Sequence, residues 1–422
     1  MHTDSSTAGA AGERLPGFDR VRVGAMLAVV MFHAALPYAC RELSGLLWTV
    51  RVAGDEHGVL ADPLFWTAEA VIMPLFFGMS GFWSARAGAR GTVAAFVMGR
   101  VRRMGVPLAL GCITIGAASL AIWVIAMPLT GRLSWEDARR LDLPRHMSDQ
   151  LWGTAHLWYL QYVLLWALFQ VPLDAVVAAA DRGEYPVVAR ALNWLDKTMR
   201  SPRRWLLPTV GLTLLLAVEP DVYLGFPHGW FPHAEKFLHS GVCFLFGWLC
   251  WRNRSALAAA GPAAARPLAL AASLAAFPLY LAVQFSALGG GGDRLPILPA
   301  GLCAGLAITA ALIYGASSRR PTGRLVATLA GASFWVYLVH QPIVGALHLG
   351  LKFVDMPADL KFLSVLCVAI GLSMATEPVS RRTRLGRLLT GRNEPTLPPA
   401  TIRFPVARPD DQPEDRPVRR AA

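Results

Sequence analysis

Charge is scarce in this 422-residue sequence: 16% of its residues are charged, against roughly 25% in an ordinary soluble domain. That shortage argues against a water-soluble globular enzyme. Set beside 54% hydrophobic residues and a mean hydropathy of +0.42, it also excludes disorder as the class of the chain, because disorder needs low hydrophobicity and high charge. Cysteine is sparse as well. The six (Cys40, Cys112, Cys243, Cys250, Cys303 and Cys367) lie in or beside apolar blocks, and no two have C-x-x-C spacing. Neither a zinc site nor a redox motif is supported, and the thiols read as small buried hydrophobes. No internal repeat is visible, so the inverted-repeat signature of many transporters is missing. Nor is there a separate soluble domain, since the largest outer connections, about Arg41–Pro63 and Leu129–Ala155, are modest.

What is present is a series of apolar blocks about as long as a bilayer is thick. Ten can be marked: Val21–Cys40, Leu64–Ser84, Met104–Pro128, His156–Val171, Trp205–Val218, Phe237–Trp251, Pro267–Leu288, Leu295–Ala316, Ala327–Leu351 and Leu360–Thr376. The fifth is the weakest, because Glu219 cuts it short of the roughly 20 residues a crossing helix needs. An open strand would leave backbone groups unpaired in lipid, so the expected fold class is all-α, a polytopic membrane helix bundle of about ten transmembrane helices. The first block is too long for the apolar core of a cleaved signal peptide.

Lysine and arginine set the orientation. With the N-terminus on the cytoplasmic side and the sides alternating, 30 of the 40 basic residues fall inside, at least three in every inner segment. Both termini are therefore expected in the cytoplasm. The net charge of +12 is accounted for by these topology signals, so nucleic acid is not an expected partner. The chain divides into a polar N-terminal tail (1–17), a membrane domain (18–391) and a cytoplasmic tail (392–422) whose Pro, Arg and Asp content reads as disordered.

Ionisable residues at bilayer depth default to a functional hypothesis. The first block offers Asp19-x-x-Arg22 and then His33. Eleven residues is close to three helical turns, so Arg22 and His33 share a face roughly 16 Å apart along the axis. A guanidinium at the inner surface can hold the phosphates of a cytosolic donor, and an imidazole deeper in can act as a base. The plainer alternative is a topology arginine and a histidine bonded to a neighbouring helix. Glu69, in the second block, either partners His33 or reaches the outer interface, the commoner outcome. Gly78, Ser80 and Gly81 are small and suit close helix approach. Arg100 and Arg103 lie on one face if their segment is helical, as a phosphate clamp or as topology charges. His156-Leu-Trp158-Tyr159 has the composition of an interfacial aromatic belt. Tyr337 and His340 are neighbours on one face at mid-span. His228, His233 and His239, spaced five and six apart, fit no regular element, so no metal site is expected.

Arg22-x(10)-His33, Phe76-Phe77-x-x-Ser80-Gly81-Phe82, Arg100-x-x-Arg103, His156-Leu-Trp158-Tyr159 and Tyr337-x-x-His340, in this order, resemble the acyltransferase-3 family of membrane acyltransferases over nearly the whole chain. Phe18-Asp19-x-x-Arg22, Arg103-x-Gly105-x-Pro107 and Ser333-x-x-x-Tyr337-Leu-Val-His340-x-Pro342 look most like the glucan biosynthesis protein C branch. The resemblance implies a multi-pass enzyme of the bacterial inner membrane that moves an acyl group, acetyl or succinyl, from cytosolic acyl-CoA to a hydroxyl of an envelope carbohydrate such as a periplasmic glucan. It implies His33 as the catalytic residue and Arg22 as essential beside it. Arg100 and Arg103 are read here as donor-binding, with Asp19, Glu69, Ser80, His156, Trp158, Tyr159, Tyr337 and His340 in support. Acyl-CoA is a co-substrate, and no permanently bound cofactor is expected. The partners are acyl-CoA, the carbohydrate acceptor and membrane lipid. A proton-coupled transporter or flippase of a lipid-linked sugar is the rival, and a membrane scaffold the third reading.

Overall fold

A computed structural model describes residues 14–39, 57–140, 153–223, 229–287, 294 and 296–391. Ten principal helices occupy the ten expected blocks: α1 Pro16–Ala35, α2 Ala61–Gly88, α3 Val93–Leu129, α4 Trp158–Asp181, α5 Leu206–Val218, α6 Ala234–Arg252, α7 Ala265–Ala287, α8 Ile297–Ser317, α9 Arg324–Lys352 and α10 Ala358–Arg382. Short helices at Trp135–Arg140, Pro186–Arg200, Arg254–Ala260 and Arg384–Leu389 connect or follow them, and no strand occurs among the described residues. The fold is an all-α polytopic membrane bundle.

Eight of the described helices are long and apolar enough to cross a membrane; α5 and α6 are the two expected spans that fall short. Helix α5 has 13 residues and stops with Glu219 as its C-cap, where the sequence places the break. Helix α6 has 19 residues and carries Glu235, Lys236 and Arg252, but it packs in the middle of the bundle with most of one side buried. A helix shielded by protein does not need lipid-compatible hydropathy. The short connection after α2 and the continuous helix through 93–129 place Arg100 and Arg103 inside α3, where the sequence reading starts the span only at Met104. Two π-helical turns interrupt α3, at Val101–Gly105 and Cys112–Gly116.

Contacts at the helix ends respect the alternation of sides. Arg20 at the start of α1 donates to the carbonyls of Arg320 (3.0 Å) and Pro321 (2.6 Å), just past the end of α8. At the ends of α4 and α6, Arg252 holds Asp181 through both guanidinium nitrogens (3.0 and 2.9 Å) and also reaches Asp196 at 3.1 Å. On the other face, the Asp359 carboxylate at the start of α10 accepts from the backbone N–H groups of Leu60 and Ala61, both at 3.0 Å, capping α2. The next residue, Asp62, accepts from Trp66 (2.9 Å), Tyr280 (3.1 Å) and Gln284 (2.5 Å), which ties α2 to α7.

The tightest packing is between α2 and α6. A Cβ at Gly81 would collide with the Phe244 carbonyl, and one at Gly247 with the Gly78 carbonyl. The small residues of the Phe76–Phe82 stretch therefore bring two backbones together, which is how membrane helices associate without a hydrophobic driving force between them. Gly247→Val is expected to destabilise the bundle by about 1–3 kcal/mol or more, read as a lower melting temperature in detergent, while the same change at the open Gly24 leaves it unaltered.

Candidate active site

Helix α4 does not start at the bundle surface. Tyr159, in its first turn, bonds through its hydroxyl to Ser80 Oγ at 2.6 Å and reaches the Phe76 carbonyl at 3.4 Å. Ser80 lies about two-thirds of the way along α2, so α4 begins deep in the bundle and the chain enters it as the short turn Ala155–Leu157. The belt-like His156-Leu-Trp158-Tyr159 is thus not interfacial: His156 and Trp158 are buried, and Tyr159 is half-buried. Non-helical backbone is tolerated at membrane depth where protein surrounds it or it lines a cavity. Ala155 sits at φ +45°, a left-handed conformation that costs a non-glycine residue about 1–2 kcal/mol.

The entering turn is fixed by α9. Pro342 has no N–H, so the carbonyl four residues earlier, that of Leu338, loses its helical donor. His156 Nε2–H supplies one at 2.9 Å. In return the Tyr337 hydroxyl donates to the His156 carbonyl at 2.9 Å. The motif Tyr337-Leu-Val-His340-Gln-Pro342 thereby makes a docking point for His156.

The same turn of α9 orients His340. Its Nδ1 faces the carbonyls of Tyr337 (2.7 Å) and Val336 (3.1 Å). Carbonyls only accept, so Nδ1 carries the hydrogen and the neutral ring keeps its lone pair on Nε2. That lone pair lies 3.3 Å from His33 Nδ1, which also faces the Val29 carbonyl at 2.9 Å. His33 Nδ1–H is therefore shared between Val29 and His340, and the basic nitrogen of neutral His33 is Nε2. Ring centroids are 4.8 Å apart for His33–His340 and 5.6 Å for His156–His340, giving a row of three buried imidazoles from α1, α9 and the α4 entry turn.

These histidines border a cavity of about 30 Å³, lined also by Phe32, Glu69, Trp158, Tyr159 and Tyr337. Seven of the residues singled out from the sequence converge there: His33, Glu69, His156, Trp158, Tyr159, Tyr337 and His340. Ser80 joins through Tyr159. Arg22 is not in the wall, but its charge acts on the Tyr159 hydroxyl. Asp19 is turned aside, paired with Arg14 at 2.9 Å. Arg100 and Arg103 also lie outside the lining. Arg100 is half-buried with its guanidinium 5.0 Å from the Phe96 ring, and Arg103 is exposed. The π-helical turn between them winds wider than an α-helix, so a spacing of three no longer puts them on one face; their charges still act on each other.

Glu69 departs from its commoner sequence reading: it is buried in the cavity wall, 7% exposed, and interacts electrostatically with Lys236 of α6. Lys236 was missed because it stands one residue before the expected sixth span, where it reads as an outer-side charge. His239 is buried beside Lys236, His233 is exposed at the start of α6, and His228 falls outside the described residues. His348 was missed too; its Nε2–H donates to the Ala34 carbonyl at 3.0 Å and secures the end of α1.

The family model for an acyltransferase domain, Acyl_transf_3, matches residues 15–377, which takes in α1, the imidazole row and nearly all of α10. The chain belongs to the acyltransferase-3 family. No curated protein and no solved structure matches it. As a membrane acyltransferase, the protein needs a place where an acyl donor and its acceptor meet. The His33 cavity is the one that brings together residues from α1, α2, α4 and α9.

The Tyr159–Ser80 bond ties α4 to α2 beside the cavity, and its contribution can be measured. Tyr159→Phe and Ser80→Ala are each expected to cost about 0.5–1.5 kcal/mol in detergent unfolding. The double variant should cost less than the sum, and additive losses would show that the bond contributes nothing.

Proposed function

We propose that the protein transfers a short acyl group, acetyl or succinyl, from cytosolic acyl-CoA to a hydroxyl of a cell-envelope carbohydrate such as a periplasmic glucan, with the inner membrane as its seat. The observation that carries the reading is the His33–His340 contact in an aromatic cavity of a family acyltransferase. It leaves one nitrogen of His33 basic and backs the other with an acceptor.

The donor approaches from the basic rim, where Arg22, Arg100 and Arg103 take its phosphates. Its pantetheine arm passes the Tyr159–Ser80 pair and brings the thioester to the cavity. His33 Nε2 removes the proton from the acceptor hydroxyl as its oxygen bonds to the thioester carbonyl carbon. The tetrahedral intermediate collapses, the C–S bond breaks, and the CoA sulfur leaves with the proton His33 had taken. While His33 holds that proton, its Nδ1–H donates to His340 Nε2, which stabilises the imidazolium. The start of α4 borders the cavity, and a helix start favours negative charge such as that on the intermediate's oxygen. A covalent acyl-His33 route uses the same atoms and is marked by ping-pong kinetics.

General-base action contributes typically 10²–10⁴-fold, so His33→Ala is expected to lose that much acyl transfer in membrane vesicles while inserting normally. Near-normal transfer would overturn the assignment. Arg103→Ala should raise the apparent KM for acyl-CoA more than it lowers kcat, and an unchanged KM would remove Arg103 from donor binding. The row of buried imidazoles also suits a proton relay, the feature a sugar-lipid flippase would share. Thermal stabilisation by acyl-CoA supports transfer, and stabilisation by a sugar lipid alone supports transport.

A further inference from the structure

Glu69 is the carboxylate in the cavity wall, and a cation answers it from behind. Lys236 is buried, 8% exposed, and its charge acts on Glu69. Its ammonium donates to the Val222 carbonyl at 2.5 Å and lies 5.8 Å from the ring centre of Trp158, another wall residue. Carboxylate, carbonyl and ring together occupy this cation. Among the described residues, no lysine or arginine lines the cavity itself.

Two limits on the transferred group follow. The first is size. The cavity, about 30 Å³, has room for roughly two water molecules, which favours a short acyl group over a long one. The second is charge. An acyl chain ending in a carboxylate would bring a second anion beside Glu69 and bury it without a counter-ion, because Lys236 is already committed. Buried charges persist only when paired, and removing the partner of one is strongly unfavourable.

Resting on the acyl-CoA reading above, we infer that Glu69 and Lys236 together set the choice of donor. The site takes a short uncharged acyl group and rejects one with a terminal carboxylate. Of the two acyl groups allowed above, this selects acetyl over succinyl. Glu69 is a specificity residue in this assignment, and Lys236 acts through it.

The test is binding of acetyl-CoA, succinyl-CoA and free CoA to the full-length protein in nanodiscs. Four forms are compared: wild type, Glu69→Gln, the double variant Glu69→Gln/Lys236→Met, and His33→Ala. In the wild type, acetyl-CoA is expected to bind at least roughly tenfold more tightly than succinyl-CoA. Glu69→Gln releases the ammonium from its carboxylate, so the preference should fall or reverse toward succinyl-CoA. The double variant, which leaves no buried charge and guards against misfolding of the single one, should bind the two acyl-CoAs with a smaller difference than wild type. His33→Ala, which widens the cavity but leaves Glu69 and Lys236 in place, should keep a preference for acetyl-CoA, though a weaker one than wild type. Equal or tighter binding of succinyl-CoA by the wild type overturns the inference while leaving the acyl-CoA reading intact. So does a preference that both Glu69 variants leave unchanged. If none of the three CoA compounds binds, the acyl-CoA reading itself fails and the inference falls with it.

Discussion

A backbone carbonyl deep in a membrane bundle must find a donor, and Pro342 ensures that the one at Leu338 does not find it within its own helix. The donor that arrives is His156 Nε2–H, and much of the site depends on that hydrogen bond. It draws the entry turn of α4 against α9, which sets Trp158 and Tyr159 in the cavity wall. With Tyr337 answering the His156 carbonyl, the turn is held at both ends and the left-handed Ala155 is sustained. The proline that costs α9 a helical bond is what brings the His156 imidazole against that helix, beside His340 and His33.

Backbone carbonyls do the same work throughout the row. Val29 fixes His33, Val336 and Tyr337 fix His340, Leu338 fixes His156 and Ala34 fixes His348. Each imidazole is thereby oriented by main-chain atoms of a helix. The carboxylate of the cavity wall, Glu69, interacts in turn with the Lys236 ammonium. The imidazole row can pass or stabilise a proton while no net charge has to be buried beside it.

Much of the fold could be read from the sequence because bilayer length and the placement of arginine are strong constraints. All ten helices lie at their expected blocks, and Glu219 ends the fifth where its charge should. The Arg22-to-His33 face and the Tyr337–His340 pair were legible from helical periodicity alone. What periodicity cannot reveal is depth and tertiary partner. His156-Leu-Trp158-Tyr159 has an interfacial composition, yet a helix that starts inside the bundle needs those residues as cavity wall. Lys236 is indistinguishable from a loop charge until α6 is seen packed on α2. The π-helical turn at Val101–Gly105 changes the facing of Arg100 and Arg103 with no mark in the residue pattern.

The proposed donor path also accounts for how charge is distributed around the cavity. Guanidinium groups gather at the basic rim, where phosphates remain partly hydrated and pairing is inexpensive. Arg22 is close enough to act on the Tyr159 hydroxyl but lies outside the cavity wall. Beyond the Tyr159–Ser80 bond the wall is aromatic and imidazole, with its one carboxylate already answered. On the proposed reading, a ligand with a strongly anionic end and a neutral, reactive end enters with its thioester toward His33 and its phosphates outside the wall. The reverse orientation would strip water from the phosphates, and among the described residues no lysine or arginine lines the cavity to receive them.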